Sequence, residues 1–330
     1  MSNMSKTPEI PLRVAVIGVG YLGGFHASKY AALPDVRLAC VYDTDPQRAK
    51  EVADLYGTEV APTLEAAFAA ADAVSIAVPT AEHLRVGLAA AEAGLPMLVE
   101  KPLAATAAEG RQLVAAAAAA GVLLQVGHLE RFNPVFDDVR RIVCEPKFIE
   151  CHRLSPFAGR GSDTSVVHDV MIHDLDLIAY LVGQPLLDVQ AVGVPVLSSH
   201  EDICNARLSF KGGAIANVTA SRVSLKRERK LRIFQTDAYA SVDLDKREVT
   251  VARRKPGSPV FDPSAPMDSI DVEVRSFEGA DPLADEIAAF VSSVRNGTAI
   301  MVDGEAGLAA LEMAERVLDA VRAAESYTES

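Results

Sequence analysis

A lysine that directly follows an apolar segment is the first residue of this chain with a clear chemical use. Residues 96–99 are typical of a short buried strand, and Glu100, Lys101 and Pro102 come directly after it. Ligands of open α/β sheets bind at the carboxyl ends of the strands. An ammonium group there can stabilise negative charge that develops on a hydroxyl oxygen during oxidation. A solvated lysine at a strand end would have the same local sequence. Lys101 alone therefore does not decide between a catalytic lysine and a solvent-exposed one.

An acid–base pair is predicted in the second half of the chain. Asp169 and His173 are four residues apart in a helical apolar pattern over about 167–181, so they share one helix face. The carboxylate can orient the imidazole. An unperturbed imidazole titrates at about pH 6.5, and a positioned acid–base group accelerates reactions roughly 10²- to 10⁴-fold. We predict His173 as the general base and Asp169 as its support. The alternative is a surface or capping pair of His173 with Asp174.

A glycine-rich turn near the start of the chain is suited to hold a dinucleotide beside such groups. An apolar strand at 14–17 runs directly into it. Gly18 permits a tight turn, Gly20 lets backbone N–H groups approach a pyrophosphate, and Gly23 lets the following helix pack closely with its N-terminus toward the phosphates. The pattern predicts a nucleotide-binding β-α-β unit. We expect the whole turn to contact the cofactor: Gly18, Gly20, Tyr21, Leu22 and Gly23.

A carboxylate follows at the distance expected for ribose binding. The segment 36–42 is typical of a second strand and ends at Asp43. This carboxylate would accept hydrogen bonds from the adenosine ribose and repel a 2′-phosphate, which favours NAD over NADP. An aspartate that starts the turn before Asp45 and Pro46 is the alternative interpretation.

The first part of the chain keeps alternating between strand-like and helical segments. Strands are expected at 73–78, 96–99 and 122–127, and helices at 46–56, 82–93 and 107–120, the last of which ends at Gly121. This alternation predicts successive α/β units of a parallel sheet. We therefore predict a doubly wound Rossmann domain, NAD-binding, over residues 1–127.

The second part, residues 128–330, has a different pattern. Its strand-like segments are separated by Gly-Gly and Asp/Asn turns, and helices are expected only at about 167–181, 282–295 and 304–323. This predicts an α+β substrate-binding and oligomerisation domain with a large, mainly antiparallel open sheet. The last helix could return to pack on the first domain. A loop at 253–268 and the basic run Lys226–Lys230, which Glu228 interrupts, are interpreted as exposed connections or strand faces.

The charge and cysteine content exclude several classes of function. The 330-residue chain has a formal net charge of −13 and lacks the basic footprint that nucleic acid requires. It has no apolar segment of signal-peptide or membrane-span length, so we expect a cytoplasmic protein without a membrane partner. The cysteines form no CxxC pair, which predicts no metal site and no disulfide framework, and most are expected to be buried: Cys40, Cys144, Cys151 and Cys204.

Four motifs in this order resemble one oxidoreductase family, that of glucose-fructose oxidoreductase, inositol dehydrogenase and the rhizopine catabolism protein (Gfo/Idh/MocA). They are Gly18-x-Gly20-x-x-Gly23, Val78-Pro79-Thr80 with His83, Glu100-Lys101-Pro102, and Asp169-x-x-x-His173. The resemblance covers nearly the whole chain. It implies NAD as cofactor, with Pro79, Thr80, His83, Glu100 and Lys101 among the cofactor-binding residues, and a homo-oligomer, dimer or tetramer, formed through the open sheet.

The resemblance also implies catalytic roles. Lys101 would polarise the reacting hydroxyl, His173 would remove its proton, and Asp169 would support the site. Hydride would pass between the substrate carbon and the nicotinamide. The Lys101–Pro102 bond is often cis in such proteins, and Glu100 is then structural rather than catalytic.

Two further segments, 126–134 and 153–157, resemble a branch of the family that oxidises nucleotide-linked amino sugars at the 3-position. Arginines could then bind a diphosphate with bidentate hydrogen bonds while Asn133 reads a sugar hydroxyl or acetamido group. Each arginine could equally be a surface salt-bridge partner. The expected substrate-binding residues are Lys101, His128, Arg131, Asn133, Arg153, Arg160 and His173.

The sequence thus predicts an NAD-dependent sugar dehydrogenase. The expected substrate is a UDP-N-acetylhexosamine. Its 3-hydroxyl would be oxidised, which would give a 3-keto sugar. A dehydrogenase of free polyols or monosaccharides, which needs no diphosphate pocket, is one alternative. A non-catalytic NAD-dependent sensor or scaffold is the other, and the presence of both Lys101 and His173 argues against it.

Overall fold

The computed structural model of the chain describes residues 10–157, 159, 164–255 and 269–328. Arg160 and most of the predicted loop at 253–268 lie outside these residues. The chain divides into two compact units. The first comprises Met1–Leu129 and Leu283–Leu308, and the second comprises Glu130–Pro282 and Ala309–Ser330.

The described strands and helices alternate in the first part of the chain and segregate in the second. The strands are β1 (Leu12–Ile17), β2 (Val36–Tyr42), β3 (Glu59–Val60), β4 (Ala73–Ile76), β5 (Met97–Glu100), β6 (Leu124–Gly127), β7 (Phe148–Leu154), β8 (Leu186–Val194), β9 (Ile203–Phe210), β10 (Ile215–Ser221), β11 (Glu228–Phe234), β12 (Ala238–Asp243), β13 (Glu248–Arg254) and β14 (Ile270–Ser276). The helices are α1 (Tyr21–Ala32), α2 (Pro46–Tyr56), α3 (Leu64–Ala69), α4 (His83–Glu92), α5 (Ala107–Ala120), α6 (Pro134–Ile142), α7 (Ile172–Val182), α8 (Pro282–Asn296) and α9 (Gly304–Thr328).

The first unit contains a parallel sheet in the order β3-β2-β1-β4-β5-β6, and every described strand pair in it is parallel. This is the doubly wound order of dinucleotide-binding domains, in which the strand order reverses between β1 and β4. The last four residues of β1 and all of β4 are buried, which explains why these strands are continuous apolar runs instead of alternating patterns. The predicted Rossmann sheet is confirmed.

Local signals explain where the helices of this unit begin and end. The Thr106 hydroxyl accepts the backbone N–H of Glu109 and begins α5, and Gly121 ends it in the left-handed conformation with φ 67°. Such a φ favours glycine because it has no Cβ. The helix with six consecutive alanines therefore has the bounds that the sequence predicts.

The second unit contains a larger sheet in the order β14-β13-β12-β11-β7-β10-β9-β8. Its described strand pairs are antiparallel except for β7 with β10. On β9, Cys204, Ala206 and Leu208 are fully buried against helices, while Asn205 and Arg207 are exposed. The predicted mainly antiparallel sheet with one open face is confirmed, and α6 is a helix that the sequence did not predict.

The two last helices contribute to different cores. Helix α8 buries Ile287, Phe290 and Val291 in the core of the first unit. Helix α9 instead buries residues after 308, such as Ala314 and Val317, in the core of the second unit. Both helices carry apolar stripes in the sequence, but a stripe does not specify which sheet it covers. None of the helices in the described ranges is both long enough and apolar enough to cross a lipid bilayer.

Replacing Phe290 tests the assignment of α8 to the first core. Phe290 is fully buried there, so Phe290→Ala is expected to lower the free energy of unfolding by about 3–5 kcal/mol. Urea unfolding followed by circular dichroism measures the change. Leu55→Ala, at a side chain that is 71% exposed, serves as the control and should stay within about 0.5 kcal/mol. Equal stability of the two variants would contradict the packing described for α8.

Candidate active site

The glycine turn between β1 and α1 leaves no room for two side chains. A Cβ built on Gly18, whose φ is 81°, would lie 2.7 Å from the Ala77 carbonyl oxygen. A Cβ on Gly23 would lie 1.9 Å from the Gly18 carbonyl oxygen. At Gly20, by contrast, no described atom comes within 4 Å of the Cβ position. The packing of the turn against its own backbone therefore requires glycine at residues 18 and 23. The open space at Gly20 leaves the backbone accessible to a ligand.

Asp43 and Arg48 hold this turn in place. The Asp43 carboxylate accepts the backbone N–H of Val19 at 2.7 Å and that of Asp45 at 2.9 Å. The Arg48 guanidinium donates to the carbonyl oxygens of Val19, at 2.8 Å, and Gly20, at 3.3 Å. Each carboxylate oxygen of Asp43 can accept a further hydrogen bond, for example from a ribose hydroxyl. Arg48 was not predicted as a site residue, because an arginine in a polar helix gives no local signal of its carbonyl partners.

A cleft of about 730 Å³ opens at the carboxyl ends of β1, β2 and β4. This is the place where the strand order reverses and where doubly wound sheets bind their ligands. The cleft brings together four of the predicted cofactor-binding residues, Gly18, Gly20, Asp43 and Pro79. Its other lining residues are Ile17, Tyr42, Thr44, Ala77, Val78, Glu82, Arg85 and Val86. The glycine turn, the open space at Gly20 and the Asp43 carboxylate fit a dinucleotide.

Predicted cofactor-binding residues also lie around this cleft without lining it. Tyr21 is 69% exposed and Leu22 is half-buried at the start of α1, and Thr80 begins a short 3₁₀ turn before α4. His83 is almost fully buried, with Nδ1 at 2.9 Å from the Pro102 carbonyl and Nε2 at 3.0 Å from the Val78 carbonyl. Burial lowers the pKa of His83. The buried imidazole thus lies between two loops beside the cleft, and its contact with the cofactor stays a prediction.

Lys101 lies directly after β5, half-buried, at the strand edge where the sequence predicted it. The Lys101–Pro102 bond is cis, as the resemblance implied. Glu100 is only 4% exposed, and its carboxylate is bonded to His26 and to the backbone N–H of Lys101. This interior position differs from the cofactor contact predicted for Glu100, and it agrees with a structural role.

In the second unit, the predicted base follows a turn that the sequence did not reveal. Residues Val167–Met171 form a π-helical turn that contains Asp169, and α7 begins directly after it with His173 in its first turn. Both side chains are half-buried. A π-helical turn bonds residue i to i+5, so the spacing of Asp169 and His173 is not that of a regular α-helix. Such turns occur frequently at functional sites.

Two arginines that were predicted to bind a diphosphate are instead paired with carboxylates. Arg131 donates from Nε and Nη2 to the Asp176 carboxylate, both at 2.7 Å, and its guanidinium lies 4.3 Å from the centre of the Tyr180 ring. Arg153 donates to the Asp174 carboxylate at 2.8–3.1 Å and to Glu130 Oε1 at 2.8 Å.

Burial decides what these ion pairs do. Arg131 and Arg153 are 5% and 4% exposed, so they are neither surface salt-bridge partners nor open to a diphosphate. Removing one partner of a buried pair costs roughly 3–5 kcal/mol because it leaves an uncompensated charge. The pairs tie α7, directly beside His173, to β7 and to the turn at Leu129–Phe132.

Two further predicted substrate-binding residues, Asn133 and His128, are also internal. The Asn133 amide donates to Glu130 and to the Leu244 carbonyl, and its oxygen accepts the Val135 N–H at the start of α6. His128 has no exposed surface. Glu130, which was not predicted as a site residue, joins this network. Burial opposes the charge of its carboxylate, but Arg153 and Arg229 hold the pKa of Glu130 below its usual range.

The described residues contain no group of three or more His, Cys, Asp or Glu side chains that could hold a metal ion. Cys40, Cys151 and Cys204 are buried and Cys144 is exposed, as expected for most of them. Burial raises the pKa of Cys40 to about 11, which makes this thiol a poor nucleophile.

Gly23→Ala tests the close packing of the turn, with Gly24→Ala as a matched control one residue later. The new Cβ at residue 23 would displace the Gly18 carbonyl, so we expect a loss of about 1–3 kcal/mol in the free energy of unfolding, as for other overpacked sites, and weakened NADH binding. A Cβ at residue 24 meets only the flexible end of Arg48, at 3.2 Å. Thermal unfolding and NADH fluorescence titration measure both effects. Similar behaviour of the two variants would contradict the packing.

Comparison with known proteins identifies the family. Residues 12–128 match the model for the oxidoreductase family with an NAD-binding Rossmann fold, and residues 145–241 match the C-terminal domain of the same Gfo/Idh/MocA family. The UDP-N-acetylglucosamine 3-dehydrogenase of Acidithiobacillus ferrooxidans is 38% identical over 95% of this chain and 98% of its own. A solved structure of that enzyme has a TM-score of 0.87, with 36% identity over 95% of this chain and 99% of its own.

A second relative is the scyllo-inositol 2-dehydrogenase (NAD(+)) of Bacillus subtilis, which is 31% identical over 66% of this chain and 69% of its own. Together with the strand order, the glycine turn and the cleft, the matches agree with the motifs found in the sequence. The chain belongs to the Gfo/Idh/MocA family of NAD-dependent oxidoreductases.

Proposed function

We propose that this protein oxidises the 3-hydroxyl of a UDP-linked N-acetylhexosamine with NAD⁺ and so produces a 3-keto sugar. One observation carries the substrate proposal. The likeness to the UDP-N-acetylglucosamine 3-dehydrogenase extends over 95% of the chain at 38% identity, and thus includes the second unit. The scyllo-inositol enzyme aligns over only 66% of the chain, and an inositol dehydrogenase that aligns over 94% is 24% identical. This contrast favours a nucleotide sugar over a free polyol.

The residues of the first unit would hold the cofactor. The open backbone at Gly20 and the N-terminus of α1 suit the pyrophosphate, and the spare acceptor sites on Asp43 suit the adenosine ribose. The negative charge of Asp43 would repel a 2′-phosphate, which supports NAD over NADP. When bound, NAD⁺ supplies the acceptor for the hydride.

In the proposed reaction, His173 accepts the proton of the substrate hydroxyl and Lys101 stabilises the negative charge that develops on the oxygen. The C–H bond of the same carbon gives up its hydride, and the carbon–oxygen bond becomes a carbonyl. The alcohol therefore loses one proton and one hydride, which balances the oxidation. The buried pairs of Arg131 and Arg153 would keep α7, and with it His173, in place.

Arg160 remains as the proposed diphosphate ligand among the three arginines. Arg131 and Arg153 already bind buried carboxylates and are not available to a diphosphate. Arg160 itself lies outside the described residues. Asp169 stays proposed as the support for His173.

We also propose that the open sheet of the second unit forms a homo-oligomer, a dimer or tetramer. Its edge strands carry exposed apolar side chains that a second copy would cover: Leu187 (62% exposed), Val192 (56%), Val194 (46%), Val272 (50%) and Val274 (58%). Light scattering of the purified protein tests this assembly. A cytoplasmic location stays a proposal that rests on the sequence alone.

A substrate panel tests the proposed function. NADH formation is compared for UDP-N-acetylglucosamine, UDP-N-acetylgalactosamine, free N-acetylglucosamine, myo-inositol and glucose. We expect turnover with a UDP-sugar and far less with the free sugars. Turnover with inositol or glucose alone would favour the polyol alternative, and NAD binding without any turnover would favour a sensor.

Lys101→Met and His173→Asn test the two catalytic roles. We expect Lys101→Met to leave NADH affinity within about twofold and to lower kcat roughly 10²- to 10³-fold, since it removes a charge that acts on the developing oxyanion. His173→Asn should lower kcat roughly 10²- to 10⁴-fold. It should also abolish the rise of kcat/KM with pH that the parent shows, because a base acts only after losing its proton. Unchanged turnover of either variant would remove that residue from the mechanism.

Asp43→Asn tests the cofactor preference. Loss of the negative charge should raise the ratio of kcat/KM with NADP⁺ to kcat/KM with NAD⁺ by about tenfold or more. Asp45→Asn is the matched control, because Asp45 caps α2 and asparagine caps a helix equally well. An equal ratio in the two variants would show that Asp43 does not face the ribose.

A further inference from the structure

A chain of buried polar groups lies in the interior of the first unit, next to Lys101. His26 of α1 and Ser75 of β4 are fully buried, and Glu100 of β5 is 4% exposed. His26 Nε2 lies 2.8 Å from Glu100 Oε1, and His26 Nδ1 lies 2.7 Å from the Ser75 hydroxyl. The second carboxylate oxygen, Oε2, accepts the backbone N–H of Lys101 at 3.2 Å. These hydrogen bonds therefore connect α1, the helix of the glycine turn, to the backbone of Lys101.

The hydrogen-bonding capacity of the groups fixes the direction of the bonds. An ionised carboxylate only accepts, so the proton on the Glu100 side of the imidazole is on Nε2. The Ser75 hydroxyl can donate or accept, and it therefore suits either state of Nδ1. His26 is thus a donor to Glu100 in both its neutral and its charged form.

The environment keeps Glu100 ionised although burial opposes its charge. The hydrogen bond from His26 and the charges of His26 and Lys101 outweigh burial and hold the pKa of Glu100 below its usual range. Space is also restricted, since a Cβ on Gly127, the β6 partner of Glu100, would lie 2.9 Å from Oε2. The result is a fixed negative charge directly beside Lys101.

Further titratable groups face this carboxylate from the elements around it. Tyr30 of α1 and His83 of α4 interact electrostatically with Glu100, and Glu286 of α8 interacts with Tyr30. Burial raises the pKa of Tyr30, so its hydroxyl stays neutral. Burial lowers the pKa of His83, although the hydrogen bonds to the Pro102 and Val78 carbonyls oppose this. Lys101 and His26 remain the groups whose interactions lower the pKa of Glu100.

We propose that His26 is a positioning residue for the reaction: it donates to Glu100, and through this carboxylate it fixes the backbone at Lys101 and a negative charge beside the Lys101 ammonium group. The inference rests on the proposed function, because it assumes that Lys101 acts on the substrate hydroxyl. Stability alone does not explain the pair, since replacing a buried ion pair by apolar residues is often neutral or stabilising. The position of the His26–Glu100 pair next to Lys101 does explain why it is present.

Two substitutions of His26 separate this role from packing. Glutamine places an amide N–H near the position of Nε2, whereas leucine fills the space without a donor. We expect His26→Leu to keep NADH affinity within about twofold and to lower kcat by up to about 100-fold, as for other misplaced catalytic groups, while His26→Gln recovers most of this loss.

A double-mutant cycle with Glu100→Gln shows whether His26 acts through Glu100. In the Glu100→Gln background, His26→Leu should change kcat by less than about twofold, because the carboxylate it serves is absent. Equal effects of His26→Leu in both backgrounds would overturn the inference. It would also be overturned if NADH affinity and thermal stability fell with kcat and His26→Gln recovered none of the loss, since that pattern indicates packing alone.

Ser75→Ala provides the same test if His26→Leu does not fold. It removes the partner of Nδ1 and leaves the imidazole in place, so kcat should fall about threefold or more while NADH affinity stays within about twofold. Unchanged kcat would contradict the inference. A parent protein that oxidises no sugar of the panel would overturn the proposed function and this inference together. An active parent whose His26→Leu and His26→Gln variants match it would overturn only the latter.

Discussion

The close approach of α1 to the sheet at Gly23 is the constraint on which the first unit depends. With the backbone of Gly23 against the Gly18 carbonyl, the N-terminus of α1 lies beside the cleft at the sheet edge. The same approach brings His26, three residues later, against Ser75 and Glu100 in the sheet. One backbone contact thus serves both the pyrophosphate site and the polar groups behind Lys101. A side chain at residue 23 would disturb both.

In the second unit, buried ion pairs hold the proposed catalytic residue in place. Arg131 and Arg153 pair with Asp176 and Asp174 on either side of the first turns of α7, and Glu130 shares Arg153. Because each charge is buried together with its partner, the geometry around His173 is strongly restricted. The two units therefore hold the two proposed catalytic residues by different means, a hydrogen-bonded carboxylate for Lys101 and bidentate ion pairs around His173.

The sequence predicted the structure correctly where short local patterns determine it. The parallel strands, the end of α5 at Gly121 and the position of Lys101 after β5 all follow from short patterns, and the structure has them. It was insufficient where a partner comes from a distant segment. Arg131 and Arg153 have the composition of a diphosphate site, but their carboxylate partners lie 45 and 21 residues away. The cores that α8 and α9 join, and the π-helical turn before α7, likewise depend on tertiary packing.

The central claim is that hydride leaves carbon 3 of a nucleotide-linked amino sugar. Isotope transfer tests it most directly: the protein is incubated with NAD⁺ and UDP-N-acetylglucosamine deuterated at carbon 3, and the products are analysed by NMR and mass spectrometry. The account predicts one deuterium in the reduced cofactor and a carbonyl at carbon 3 of the sugar. Reduced cofactor without deuterium, or a carbonyl at another carbon, would contradict it.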